Sequence, residues 1–341
     1  MIKKVHIQNF KSINDEKLDF KPFTLLTGTN SSGKSSVLQA INLFIQPPNN
    51  SPKKSMYIKD FTDHLRRFDE IRNKQNNNNT IYIQLNESSI EIKKDKIKEN
   101  INSNLYFEEN FYYLCANRTL VSDITKEELD IKFGINGEFI TSYFNSHSYN
   151  PISDFFIESK EESEILAYYL DVWIQRILDI KFSFNVTKNI DTIIARYIQK
   201  NLNAEFIPSN VATGLNFVTK ILIVGLSLKK GDIFVVENPE IHLHPKAISN
   251  LVDFFALLVS NGVQVILETH SNYLISKLRI LVYKEKLKHD DLIIYYKDQS
   301  YDNFENIFVN SSGFFSNEDG KKIAFPTGFL DNGLAELMEI R

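Results

Sequence analysis

Cysteine is almost missing from this chain. Cys115 is the only one in 341 residues, so no disulfide can close within it, as expected of a protein in a reducing cytosol. Nor is there an apolar run of the roughly 18–20 residues that a membrane helix needs, and no membrane partner is expected. The first ten residues, MIKKVHIQNF, read as a strand and lack the apolar core of a secretory leader. Sustained heptads are absent, which argues against a long coiled coil. An excess of positive charge is absent too. Lys and Arg number 39 against 43 Asp and Glu, for a net charge of -4, so any nucleic-acid contact would have to come from a local patch. What remains is a globular balance, 43% hydrophobic and 24% charged, enough for one large domain or two smaller ones.

Residues 2–10, 15–20 and 23–27 read as three strands, the last apolar throughout, as in a strand buried on both faces. After a glycine-rich turn, Val37, Ile41 and Phe44 give helical spacing, with Pro47-Pro48 as the stop. The stretch 49–205 is polar and rich in Asn, Lys and Tyr; Asn76 to Asn79 reads as a surface loop. Within it, Ile81–Leu85 and Ile90–Ile92 suggest a hairpin, 111–116 a buried strand, and 159–179 a helix. From about 206 onward, strand and helix alternate: helices over 214–228, 245–259 and 272–281, strands over 233–236, 263–267 and 292–296. That alternation predicts an α/β fold with a mostly parallel sheet flanked by helices.

The most specific stretch is Gly28-Thr29-Asn30-Ser31-Ser32-Gly33-Lys34-Ser35-Ser36. It fits G-x-x-x-x-G-K-[ST] between a buried strand and a helix, the context this phosphate-binding loop requires. Glycines let backbone N–H groups point at phosphate oxygens, and the helix N-terminus adds partial positive charge. Lys34 is expected to reach the β- and γ-phosphates of ATP and the Ser35 hydroxyl to ligate Mg2+.

Such a loop needs a carboxylate at the end of a neighbouring strand. Glu237, after the apolar Ile233-Phe-Val-Val, is the expected second metal ligand with Ser35. A further strand ends in Glu268-Thr269-His270, where an imidazole could sense a γ-phosphate. His242 and His244 form H-x-H, but without a third ligand at recognisable spacing a turn into the next helix is favoured over a metal site. Lys53-Lys54, Arg66-Arg67 and Lys93-Lys94 are basic clusters with acidic neighbours. They leave direct DNA binding open, with a mixed solvated surface as the favoured reading.

Taken together, IQNFKSI, FTLLTGTNSSGKSS, ENPEIHLHP and ILETHSNYLISKLR resemble the nucleotide-binding motifs of ABC-type ATPases of the SMC and RecF-like group. NVATGLNFVTKIL resembles the signature region of the bacterial AAA-family ATPases that include OLD proteins; YLCANR, with Arg118, and the terminal FPTGFLDNGLAEL resemble one branch of these, which carries a short C-terminal domain. The resemblance implies an ABC-type head with an N-terminal antiparallel β layer, divided into 1–48, a mixed insertion 49–205, 206–300, and a small segment 301–341. It implies a cytoplasmic, head-to-head dimer or higher oligomer, with each ATP capped by Thr213 and Gly214 of the other subunit. Gln84 is a candidate for the glutamine of the Q-loop.

In that alignment Asn238 stands where a general base is expected. An amide orients water but takes no proton near neutral pH, so Glu240 or Glu268 would have to serve and turnover should be slow. Only about 70 residues follow His270, too few for an additional nuclease domain. The resemblance therefore implies an effector, a nuclease or toxin, on another chain, in a setting such as anti-phage defence. A RecF-like DNA-repair ATPase and a non-hydrolysing nucleotide-dependent scaffold are the alternatives.

Overall fold

The computed structural model describes residues 1–48, 51–157, 163–299 and 302–326. The expected C-terminal resemblance over 325–337 falls almost wholly outside them. The chain forms two compact units: residues 1–48, 55–106 and 266–341 make the first, and 49–54 with 107–265 the second.

In the first unit an antiparallel layer of five strands runs in the order Ile13–Asp19, Lys4–Phe10, Ile81–Leu85, Ser88–Lys93, Lys96–Asn100. Alternation builds it: Val5 pairs with Leu85 and Ile7 with Ile83, and all four are buried. This is the expected N-terminal β layer, including the hairpin over 81–92. The same unit holds a second set in the order Phe315–Ser316, Glu305–Val309, Leu292–Lys297, Phe23–Gly28, then Gln264–Thr269, which belongs to this unit from Ile266 on; its first two pairings are antiparallel. Phe23–Gly28 lies parallel to Leu292–Lys297, and both are buried along their whole length.

The helix after the phosphate loop, Lys34–Asn42, buries Val37, Leu38 and Ile41. It stops before the expected proline. Leu43 and Phe44 instead tighten the last turn, donating to the carbonyls of Ala40 (3.4 Å) and Ile41 (3.0 Å), which drops Phe44 into the core.

In the second unit Ile233–Glu237 lies parallel to Phe111–Leu114, again fully buried. A separate antiparallel sheet centres on Ile193–Gln199, flanked by Phe182–Lys188, Ala204–Phe206 and Ile124–Thr125. Three apolar helices, Leu166–Leu178, Thr213–Leu226 and Pro245–Ser260, pack together. Trp173 meets Phe254 edge-on at 4.9 Å, an arrangement aromatic rings favour. Parallel strands alternating with helices are the α/β class the sequence pattern predicts.

Candidate nucleotide site

The phosphate loop leaves the buried strand at Gly28, and its backbone demands glycine there. Gly28 has φ 137°, and a Cβ on it would stand 2.0 Å from the Lys297 carbonyl oxygen. Gly33, at φ 112°, precedes the helix, and its Cβ would meet the Ser12 hydroxyl at 2.4 Å. Positive φ and tight quarters together exclude any larger residue. Lys34 is 3% exposed, and its ammonium threads the loop, donating to the carbonyls of Thr29 (2.5 Å) and Gly28 (3.2 Å) and approaching the Ser32 hydroxyl (3.4 Å). Burial lowers its pKa, and the Glu268 carboxylate opposes that shift.

Ser35 donates to Glu268 Oε1 at 2.8 Å. The last residues of one strand thereby meet the first turn of a helix 233 residues earlier in the chain. Hydroxyl and carboxylate together offer hard oxygen donors, the set Mg2+ prefers. His270 follows two residues on. Partial burial and then Lys34 hold its pKa below the ordinary value, against a hydrogen bond with the Gly28 backbone. A neutral ring carries a single N–H donor, and the Gly28 backbone already engages this histidine. Lys34, Ser35, Glu268 and His270 are thus gathered in one unit.

The second unit carries the other motif residues. Glu237 closes its strand, and both its carboxylate oxygens already accept protein hydrogen bonds, one from the Tyr113 hydroxyl and one from Ala116 N–H at 2.8 Å. Arg118, 5% exposed, reaches the carbonyls of Glu237 (2.7 Å) and Asn238 (2.8 Å). Asn238 adopts φ 43°, a conformation asparagine tolerates. Its Oδ1 has no hydrogen-bond partner among the described residues, which leaves an acceptor for a water. Glu240 begins the following turn, its carbonyl accepting from Leu243 N–H at 3.0 Å.

His242 stacks on Phe217, and His244 caps the helix Pro245–Ser260 by accepting from Lys246 N–H at 3.3 Å. No group of three His, Cys, Asp or Glu side chains placed to hold a metal occurs among the described residues. Thr213 opens its helix, and a Cβ on Gly214 would stand 2.6 Å from the His242 carbonyl oxygen. Gln84 lies mid-strand in the antiparallel layer and donates to the Asn86 carbonyl at 2.9 Å.

Sequence reading missed Tyr113, whose neighbours made it look like plain core. Only the pairing of Tyr113 with Val235 carries its hydroxyl to Glu237. It also missed Lys220, 1% exposed in the helix Thr213–Leu226, which donates to the Asn136 carbonyl at 3.0 Å. Burial pulls its pKa down to about 7. Between about pH 7 and pH 10 the unfolded chain binds the extra proton, so stability rises with pH through that window. Lys220→Met should abolish this slope and raise the melting temperature at pH 6.5 by several degrees, at about 2–4 °C per kcal/mol; scanning calorimetry across the pH range checks it.

The basic clusters are largely spent on local ion pairs. Lys53 pairs with Glu128 at 2.6 Å, Lys54 with Glu108 at 3.5 Å, Arg66 with Glu99, Arg67 with Asp63 at 3.0 Å, and Lys93 with Glu91 at 3.0 Å. Asp290 and Asp291 lie on a short turn, where Asp290 pairs with His289 at 3.1 Å. No helix among the described residues is long and apolar enough to cross a membrane.

Comparison with known proteins bears on this arrangement. Comparison with curated proteins returns no significant match. The crystal structure of an Smc head bound to the C-terminal winged-helix domain of ScpA superposes with a TM-score of 0.59 at 12% identity, covering 91% of this chain and 98% of that one. The Pyrococcus furiosus Smc head with an extended coiled coil, bound to the C-terminal domain of ScpA, gives 0.57 at 11% identity, covering 100% and 99%. These likenesses establish the fold. The family model described as "AAA domain, putative AbiEii toxin, Type IV TA system" matches residues 58–276, well over half of the chain. The chain therefore belongs to that AAA family, and its fold is that of the SMC heads.

Proposed function

We propose that the protein binds ATP with Mg2+ on the Gly28–Ser36 loop, hydrolyses it slowly, and uses the ATP-bound state to control a partner protein. The observation that carries this reading is the contact of Ser35 with Glu268 beside Lys34. It brings a hydroxyl, a carboxylate and an ammonium from the loop and a distant strand of the same unit together. Mg2+ bound there would neutralise charge on the transferring phosphoryl group. Lys34 then holds the β- and γ-phosphates, Glu268 orients or deprotonates the attacking water, and His270, beside the loop at Gly28, senses the nucleotide state. Glu237, held by Tyr113 and Ala116, keeps lone pairs that would accept from water. Asn238 orients water without taking its proton, and for that reason turnover is slow.

ATP-dependent dimerisation, with Thr213 and Gly214 capping the partner's nucleotide, is the proposed means of control. The Smc heads that share this fold were solved with a domain of ScpA bound, which supports a protein partner here; the family's description as a putative AbiEii toxin of a type IV TA system supports a toxin–antitoxin setting, and the proposed effector is a nuclease or toxin on another chain in anti-phage defence.

Single-turnover phosphate release, with and without EDTA, tests hydrolysis. Light scattering with and without ATP tests assembly. A rate above roughly 10 s⁻¹, ordinary for enzymes, would sink the slow-turnover reading. Tight ATP binding with no phosphate release would reduce the protein to a scaffold.

A further inference from the structure

We propose that Lys297, held by Glu16, is a second cationic group of the phosphate loop, a positioning residue whose charge strengthens the hold on the nucleotide's phosphates. The inference rests on the loop being an ATP site and adds a determinant of its affinity.

The backbone first ties Lys297 to the loop. In the parallel pairing Lys297 lies opposite Gly28. Its carbonyl accepts from Thr29 N–H at 3.2 Å, and the next carbonyl, of Asp298, accepts from the Thr29 hydroxyl. The side chain then turns toward the other end of the loop: Nζ stands 3.8 Å from where a Cβ would sit on Gly33. The loop thus meets the backbone of Lys297 where it starts and the ammonium of Lys297 where it ends.

The surroundings keep that ammonium dry but compensated. The Lys297 side chain is 1% exposed and that of Glu16 6%, with Nζ 3.6 Å from Glu16 Oε1. The same carboxylate oxygen accepts from Phe304 N–H at 3.0 Å, and the Phe304 ring lies 5.0 Å from Nζ. Burial lowers the pKa of Lys297 and raises that of Glu16, and each partner opposes the shift in the other. A buried pair of this kind is a weak source of stability, since apolar residues of similar volume commonly serve as well or better. Beside a polyphosphate-binding loop, however, a dry cation exerts a field that water does not screen.

Comparing Glu16→Gln with the double variant Glu16→Gln/Lys297→Met isolates the charge, because both lack the acid and only one keeps the ammonium. Calorimetric titration of the full chain with Mg2+-ATP is the readout, and the melting temperature is measured alongside. The charge-free double variant should bind ATP roughly tenfold more weakly than Glu16→Gln, with the same dependence on salt and a melting temperature no lower. Restoring charge as Glu16→Gln/Lys297→Arg should recover most of the affinity. Equal ATP affinity in the first two variants, or losses that merely follow the melting temperature, would overturn the proposal. A wild-type chain that binds no ATP at all would overturn the underlying reading as well, and is distinguished by being seen before any substitution.

Discussion

Lys34→Ala should reduce phosphate release to background and weaken ATP binding by about 10- to 100-fold, the equivalent of one or two charge-assisted hydrogen bonds. The ammonium is the only side-chain cation that reaches the carbonyls of both Gly28 and Thr29 among the hydrogen bonds described for the loop. Alanine removes the charge meant for the phosphates and also leaves those carbonyls without their donor, so some loss of local order is expected. Lys34→Met, which also lacks the ammonium but keeps the packing of the stem, separates loss of the ammonium from loss of packing. If affinity falls equally in both variants while the melting temperature stays within a few degrees, the charge is responsible. Hydrolysis at the wild-type rate in Lys34→Ala would remove the loop from the mechanism.

Glu268→Gln should have the second large effect, with a different signature. The amide keeps the shape and can still accept from Ser35, whose hydroxyl now donates to Glu268 Oε1. ATP binding should therefore change only severalfold, while the hydrolytic step slows by roughly 10²- to 10⁴-fold, the usual worth of a positioned acid–base group. An ATP-bound dimer should then persist long enough to isolate by size-exclusion chromatography. Glu240→Gln is the comparison: Glu240 begins the turn after Glu237, in the second unit. Unchanged single-turnover rates in Glu268→Gln together with a large loss in Glu240→Gln would transfer the role of base to Glu240.

The two variants divide the site along a line that also separates what can be read from the chain alone. Lys34 was legible because the loop is local. Two glycines, a lysine and a serine at fixed spacing bend a single backbone segment, and no distant residue has to be known. The fully buried strands Phe23–Gly28 and Ile233–Glu237 were legible for a similar reason, since an apolar run ending in one acid marks a strand covered on both faces. Helix ends were less so: Lys34–Asn42 closes through a tightened turn at Leu43 and Phe44 before the prolines are reached.

Roles that depend on a partner far along the chain could not be read. Glu268 looked like one of two candidate bases until the strand Gln264–Thr269 carried it to Ser35. Glu237 looked like a bare metal ligand, but the strand Phe111–Leu114 supplies Tyr113, and the turn after it Ala116, to occupy both its oxygens. Lys297 and Glu16 looked like ordinary ends and edges of strands, and their pairing beside Gly33 is invisible to any periodicity.

By itself, then, the sequence determined the phosphate loop, the buried parallel strands and the amide at Asn238, because spacing and residue type fix local backbone geometry and proton affinity. The tertiary structure decided which carboxylate meets the loop's serine, which acid is already held, and which lysines are dry. Hydrogen bonds and desolvation depend on neighbours in space, and here those neighbours stand more than 100 residues apart in the chain for Glu237 and Tyr113, and more than 200 for Glu268 and Ser35.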